Sequence, residues 1–217
     1  MERGKQTKDN AMKMTLWDQR LAAILVRPLV KTPVTPNHVT TLSLAVGLVG
    51  AGLLAAGESS LANWGAGLFM VARVLDHFDG ELARQKKLQS RFGYYFDYVS
   101  GATSYGALFF CIGVGLNQGP LGSWALVLGT AGAVSAILSM FLNLDIDKIQ
   151  GGDESGDAVG YPGIAGFELE DGIYLLAPIT WAGYLMEFFV AAGIGATVYT
   201  IWTFWTLLVL KREQPAE

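Results

Sequence analysis

The chain has 217 residues, of which 52% are hydrophobic and only 16% charged, well below the roughly one-quarter charged content of globular sequences. Its mean hydropathy is +0.37, and the charges crowd into short segments between long apolar runs, which excludes an ordinary soluble domain and points to helices crossing a bilayer. The runs do not alternate, which argues against a β-barrel, and a net charge of −4 gives no reason to expect a nucleic-acid partner.

In chain order, residues 1–15 read as a disordered polar tail, and the stretch through Leu16 holds no apolar core for a cleavable signal peptide. From Leu16 to Val30, apolar Leu16, Leu21, Ile24, Leu25 and Leu29 are interrupted by Arg20 and Arg27, with Lys31 just beyond. This pattern predicts an amphipathic helix lying in the membrane interface. The segment Pro33–Pro36 breaks that helix, and Asn37 is the expected cap of the next. Six transmembrane helices are then expected, at roughly Val39–Ala56, Leu61–Leu82, Tyr94–Leu116, Leu121–Leu144, Phe167–Tyr184 and Phe188–Leu210. The run from Ile173 to Leu210 is too long for one span at about 1.5 Å per residue, and Glu187 marks the turn inside it. Asp145 to Asp157, with Gly151 and Gly152, reads as a flexible, solvated acidic loop. Residues 16–212 form one all-α integral membrane domain, and 213–217 are a tail.

Glycine is dense at Gly47–Gly52, Gly113–Gly115 and Gly129–Gly132, which reads as close helix packing in lipid. Trp17, Tyr94 and Tyr184 near span ends read as interface anchors. The single cysteine, Cys111, excludes an internal disulfide or a thiolate metal cluster and reads as a small packing residue.

Topology follows from Lys and Arg. The N-terminal segment carries Arg3, Lys5, Lys8, Lys13, Arg20, Arg27 and Lys31; the connection after the second span carries Arg84, Lys86, Lys87 and Arg91; the C-terminus carries Lys211 and Arg212. The alternate loops, near Glu58, Asn117–Ser123 and Glu187, contain neither residue. The positive-inside rule therefore places both termini and the connection between spans two and three in the cytoplasm. The expected location is a bacterial inner membrane or its equivalent, with the multi-pass protein's active site at the cytoplasmic face.

That connection is flanked by carboxylates. Asp76, Asp79, Gly80, Ala83 and Lys87 are spaced three or four apart and share one helix face; Gly93, Asp97 and Gly101 do the same on the next helix. Two antiparallel helices would bring the three aspartates together. Ionisable residues at the end of a span are costly unless satisfied, which makes them functional candidates. Converging carboxylates repel unless they hold a hard cation, and oxygen-only ligation suits Mg²⁺ or Mn²⁺ with water and substrate phosphate completing the shell. Gly80, Ala83 and Gly93 add no bulk on that face, and Arg84 at its rim can pair with phosphate. The plainer reading is an i,i+3 ion pair between Arg73 and Asp76, with Asp79 and Asp97 as solvated helix ends; the joint spacing favours the site. His38 and His77 are read as non-ligands, since His77 follows Asp76 directly and points to another face. Glu168, Glu170 and Asp171 read as a solvated helix N-terminus, with a substitute catalytic base as a secondary reading.

The pattern D-x2-D-G-x2-A-R-x8-G-x3-D, from Asp76 through Asp79, Gly80, Ala83, Arg84 and Gly93 to Asp97, resembles the signature of the CDP-alcohol phosphotransferase family. Pro36-Asn37-His38-Val39-Thr40 similarly resembles the P-N-x-V-T segment that opens that family's first span. The resemblance covers about residues 16–212. It implies a metal-dependent membrane enzyme of phospholipid biosynthesis. Such an enzyme binds a CDP-alcohol donor, with CDP-diacylglycerol favoured here and CDP-choline or CDP-ethanolamine with a lipid acceptor also fitting, passes its substituted phosphoryl group to a hydroxyl acceptor and releases CMP. Carried over by position, Asp76, Asp79 and Asp97 ligate metal, Asp97 being also the catalytic candidate. Gly80, Ala83, Arg84 and Gly93 line the nucleotide site, and Thr40 lies near the phosphates. Membrane lipid is an implied partner, and a homodimer is a candidate assembly.

The family pattern continues x3-D, and this chain has Gly101 there. The missing aspartate is the family's usual candidate for the base and for a ligand of a second metal, and neither Ser100 nor Ser104 can replace it as a base at neutral pH. Impaired turnover is therefore expected. The rival reading is a catalytically inactive relative that binds metal and CDP or acts as an assembly partner. A small transporter is disfavoured, because the carboxylates gather at one face rather than at the bilayer midplane. Of the fifteen basic residues only Lys148, Lys211 and Arg212 follow Arg91, so an uncharged, zwitterionic or cationic acceptor is expected rather than one with a second phosphate.

Overall fold

The computed structural model describes residues 22–149 and 169–213. Residues 22–25 are helical, the helix breaks at Val26, and a short α1 (Arg27–Val30) follows. Pro28 explains the break: it lacks an N–H and is tolerated only in a first turn. The expected amphipathic helix is thus interrupted within its described part, and residues 16–21 lie outside the described residues. Val26 is buried among Leu29, Val30, Val34, Val39, Phe78 and Leu82, so this segment packs onto the helices that follow.

Helix α2 (Pro36–Leu54) begins one residue after Thr35. The Thr35 hydroxyl accepts from the His38 amide (3.4 Å), and the His38 ring nitrogen Nδ1 accepts from the Thr35 amide (3.3 Å). This reciprocal cap corrects the assignment of Asn37. Pro36, pre-set for the first helical position, moves the cap to the residue before it and leaves Asn37 inside the first turn. Helix α3 (Ser59–Lys86) ends at Lys87, whose φ of 54° reverses the chain. The Lys86 ammonium donates to the carbonyls of Thr32 (2.7 Å) and Val34 (2.6 Å), tying the end of α3 to the segment before α2. Helix α4 (Arg91–Leu116) starts at Ser90, whose hydroxyl accepts from the Gly93 amide at 3.0 Å. Helix α5 (Trp124–Ile149) follows, then a 3-10 segment (Leu169–Leu175), α6 (Leu176–Trp181) and α7 (Leu185–Glu213).

Four helices, α2, α4, α5 and α7, are long and apolar enough to cross a membrane. With 28 residues α3 is long enough as well, but Arg73, Asp76, Asp79, Glu81 and Arg84 make its second half polar. The fifth expected span differs: its described part is the 3-10 segment followed by α6, not one continuous helix. Pro178 cannot donate to the carbonyl of Tyr174, so an α-helix can begin there but not run through. The turn before α7 falls at Ala182–Tyr184, where Gly183 has φ 87°, and Glu187 lies inside the first turn of α7 rather than at the turn. Tyr174 stacks near His77, and the Trp181 indole donates to the Asn63 carbonyl at 3.0 Å. This segment therefore descends beside α3, away from the carboxylates.

The helices pack in the order α3, α2, α4, α5, α7, with α6 bridging α3 and α7. Glycine permits several of these crossings. A Cβ on Gly50 would sit 2.8 Å from the carbonyl oxygen of Gly65, and one on Gly65 2.6 Å from that of Gly50; Gly113 and Gly129 bring α4 against α5 in the same way. Close backbone approach of this kind is how helices associate where lipid is the solvent. Phe69, Leu54, Leu108, Ile112, Leu176 and Phe189 fill the core. Trp64, Trp124, Ile201 and Trp205 face outward, as suits lipid contact.

Candidate metal and nucleotide site

The short turn between α3 and α4 returns the chain along the other flank of α2, so the polar ends of α3 and α4 face a shared space with α2 between them. Asp76 and Asp79 from α3 and Asp97 from α4 each offer a carboxylate oxygen, all within 4.8 Å of one another. Asp79 is buried, Asp76 half-buried and Asp97 exposed. Helix α2 supports them from the third side: the Thr40 hydroxyl donates to Asp79 Oδ2. The Ser43 hydroxyl donates to the Ala72 carbonyl at 2.8 Å and lies 3.5 Å from Asp76 Oδ1. Arg73 Nη1 donates to Asp76 Oδ2 at 2.7 Å, and its guanidinium sits 4.9 Å from the centre of the Tyr105 ring. The ion pair of the plainer reading therefore exists, but inside the carboxylate group rather than in place of it. Among the described residues this is the group able to hold a metal ion, and its hard oxygen donors suit Mg²⁺ or Mn²⁺.

The other expected site residues surround this centre unevenly. A Cβ on Gly80 would meet only the Arg84 side chain, at 3.7 Å, so the backbone there is open to a ligand. Arg84 itself is turned to Glu81, with Nε at 3.0 Å and Nη2 at 2.9 Å from Oε2, which leaves the Nη1 donors on the Gly80 side. Gly93 lies in the first turn of α4, where a Cβ would come 3.3 Å from Asn37 Oδ1 and 3.2 Å from the Ser90 hydroxyl; its lack of a side chain lets α4 start against α2. Ala83 is half-buried on α3. Thr40 is 4% exposed and engaged with Asp79, so it holds that carboxylate from the α2 side. His77 lies against Tyr174, off the carboxylate face.

Sequence reasoning missed Asp147. Helix α5 runs through to Ile149, so Asp145 to Ile149 are helical rather than the start of a solvated loop, and the rest of that acidic stretch lies outside the described residues. Asp147 is 3% exposed and accepts from the Tyr94 hydroxyl, while Lys148 lies over the Tyr95 ring at 5.1 Å. These contacts extend the helix past its apolar run. They also correct the assignment of Tyr94, which is buried between helices rather than placed as an interface anchor. The four-residue step from Asn143 to Asp147 was the available signal. Gly101 is buried on the face of α4 toward α5, where a Cβ would lie 2.5 Å from the Met140 methyl. Trp17, Glu168 and the side chains of Glu170 and Asp171 lie outside the described residues.

Residues 33–209 match the family model of CDP-alcohol phosphatidyltransferase. A 69-residue stretch, 32% of the chain, is 45% identical to the bifunctional IPC transferase and DIPP synthase of Rubrobacter xylanophilus, and it spans 15% of that curated relative's length. The fold is shared with phosphatidylinositol phosphate synthase of Mycobacterium tuberculosis. In its crystal structure with CDP-DAG bound, the TM-score is 0.66 at 18% identity, over 87% of this chain and 94% of that one. In its complex with manganese and citrate the TM-score is again 0.66 at 18% identity, over 86% and 88%.

Proposed function

The chain belongs to the CDP-alcohol phosphatidyltransferase family, and from that membership we propose that it transfers a substituted phosphoryl group from a CDP-alcohol to a hydroxyl acceptor in a membrane, with release of CMP. The observation that carries this reading is the convergence of Asp76, Asp79 and Asp97 from two helices, within 4.8 Å, at the signature positions. These three residues would hold Mg²⁺ or Mn²⁺, a reading supported by the manganese complex of the structural relative. A bound cation supplies charge neutralisation at the pyrophosphate and at the departing CMP.

The chain's own residues do the rest. Thr40 and Ser43 steady Asp79 and Asp76 from α2, and the open backbone at Gly80 admits the nucleotide. Arg84, half-exposed at the rim, offers its Nη1 donors to a phosphate oxygen. Asp97 is the exposed carboxylate of the three, so an acceptor hydroxyl can reach it, and it takes the hydroxyl proton. The acceptor oxygen forms a bond to the phosphorus that carries the alcohol substituent. The pyrophosphate bond to CMP breaks, and CMP leaves with the electron pair.

CDP-diacylglycerol is the favoured donor: the carboxylates lie in the halves of α3 and α4 next to their connecting turn, where a lipid headgroup could reach them, and the structural relative binds CDP-DAG. An acceptor without a second phosphate is favoured, because among the described residues α5, α6 and α7 carry only Lys148, Lys211 and Arg212. The orientation that satisfies the positive-inside rule has six passes and the carboxylates at the cytoplasmic face. Cysteines introduced at Ser59 or Gly119 should then be labelled from outside and one at Lys87 should not.

The deciding experiment measures CMP release from CDP-diacylglycerol by the purified chain in nanodiscs, with Mg²⁺ or Mn²⁺ and a panel of alcohols. Metal-dependent turnover with at least one alcohol is expected. Metal-dependent CDP binding without any turnover would instead establish the inactive relative, and absence of both would remove the family activity from this chain.

A further inference from the structure

Arg73 is a buried cation that the family signature does not call for. It is 6% exposed, one helical turn before Asp76, and is held between that carboxylate at 2.7 Å and the face of Tyr105 on α4. A guanidinium inside a span is costly unless paired. This pairing differs from an exposed i,i+3 bridge of little consequence, because the two side chains are only 7% and 15% exposed. Arg73 occupies Oδ2 of Asp76, which leaves Oδ1, beside Ser43, for any other partner. One turn after Asp97 the helix face carries Gly101, which offers no ligand, and the Met140 methyl fills the space where its side chain would begin. Three carboxylates and one guanidinium leave a charge that one divalent cation balances.

We propose that this site holds a single divalent cation per chain, with Arg73 supplying from within the protein the positive charge on Asp76 that a second ion would otherwise bring. The inference rests on the metal-binding reading above and specifies its stoichiometry. Arg73 is then a positioning residue: it orients Asp76 and sets how strongly the carboxylates attract the one ion. Because its charge opposes the cation at close range, removing that charge should tighten metal binding even as it removes an ordering contact.

The test uses the full chain in nanodiscs with saturating CDP, titrated with Mn²⁺ and followed by the paramagnetic resonance signal of free Mn²⁺. One ion per chain is expected. Two ions would overturn the inference and leave the metal-binding reading intact; no bound Mn²⁺ would overturn both. Arg73→Gln should bind Mn²⁺ at least about tenfold more tightly, whereas Arg73→Lys, which keeps the charge, should stay within about threefold of the parent. Unchanged or weaker binding in Arg73→Gln, or equal tightening in both variants, would overturn the role assigned to Arg73. Should Arg73→Gln fail to fold, the parent and Arg73→Lys decide the matter, since two ions in either contradict the proposal.

Discussion

The polar groups of the α2–α3–α4 end and those of the α5–α7 seam lie in the same apolar bundle, yet they are satisfied in opposite ways. Along the seam every group is neutral and mostly served by its own helix. Thr197, Thr203 and Thr206 donate to carbonyls four residues back, at 2.9, 2.8 and 3.0 Å. Thr200 reaches both the Ala196 carbonyl and the Ser135 carbonyl at 2.8 Å, and Asn143 donates to the Tyr199 hydroxyl at 3.0 Å. Such a seam closes two helices against each other and requires nothing further. At the other end the acceptors are charged, and their support crosses between helices: Thr40 to Asp79, Ser43 beside Asp76, Arg73 within α3 on Asp76. Those donors hold the carboxylates in place, and only Arg73 offsets any of their charge, one of the three. A hydroxyl seam is complete as folded; a carboxylate centre with one guanidinium keeps a net negative charge.

The contrast is broken most directly at Asp79. Asp79→Ala should lower CMP release by at least about 10²–10³-fold, the scale for removing one preorganised charge-stabilising group, and abolish metal-dependent CDP binding in calorimetry. Undiminished CDP binding in that variant would mean that the carboxylates are not the metal centre. Next is Gly101→Asp, which places a carboxylate one turn after Asp97. The Met140 methyl, the far end of a flexible side chain, must move aside. CMP release should rise by at least about tenfold, since a positioned base typically contributes about 10²–10⁴-fold. An unchanged rate would leave proton acceptance with Asp97, with Glu168, Glu170 and Asp171 the next positions to substitute.

Thr40→Val keeps the shape of the side chain and removes its donor to Asp79. Metal affinity should fall about 10–100-fold, the usual consequence of losing a ligand's supporting hydrogen bond, and Thr40→Ser should restore it. The smallest effects should be on stability alone. Tyr94→Phe takes a donor from buried Asp147 and should cost about 1–3 kcal/mol. Thr200→Val in the seam should cost about 0.6 kcal/mol, as is typical of interhelical hydrogen bonds in membranes. Thermal unfolding of both variants in one detergent makes the comparison; a larger loss from Thr200→Val would reverse the ranking of charged and neutral polar contacts.

The sequence by itself determined the class of protein and which carboxylates share a helix face. Apolar runs of bilayer length require membrane helices, and i,i+3 and i,i+4 spacing places Asp76 with Asp79, and Asp97 with Gly101, on single faces, because helical periodicity is a property of the local chain. It did not determine what each face meets. That Thr40 backs Asp79, that Asp147 is buried against Tyr94 and that Met140 occupies the space beside Gly101 all depend on how each helix is rotated about its axis and how closely it approaches its neighbour. The glycine contacts at Gly50 with Gly65 and Gly113 with Gly129 set that approach. They are backbone encounters between residues distant in sequence, and only the tertiary structure brings them together.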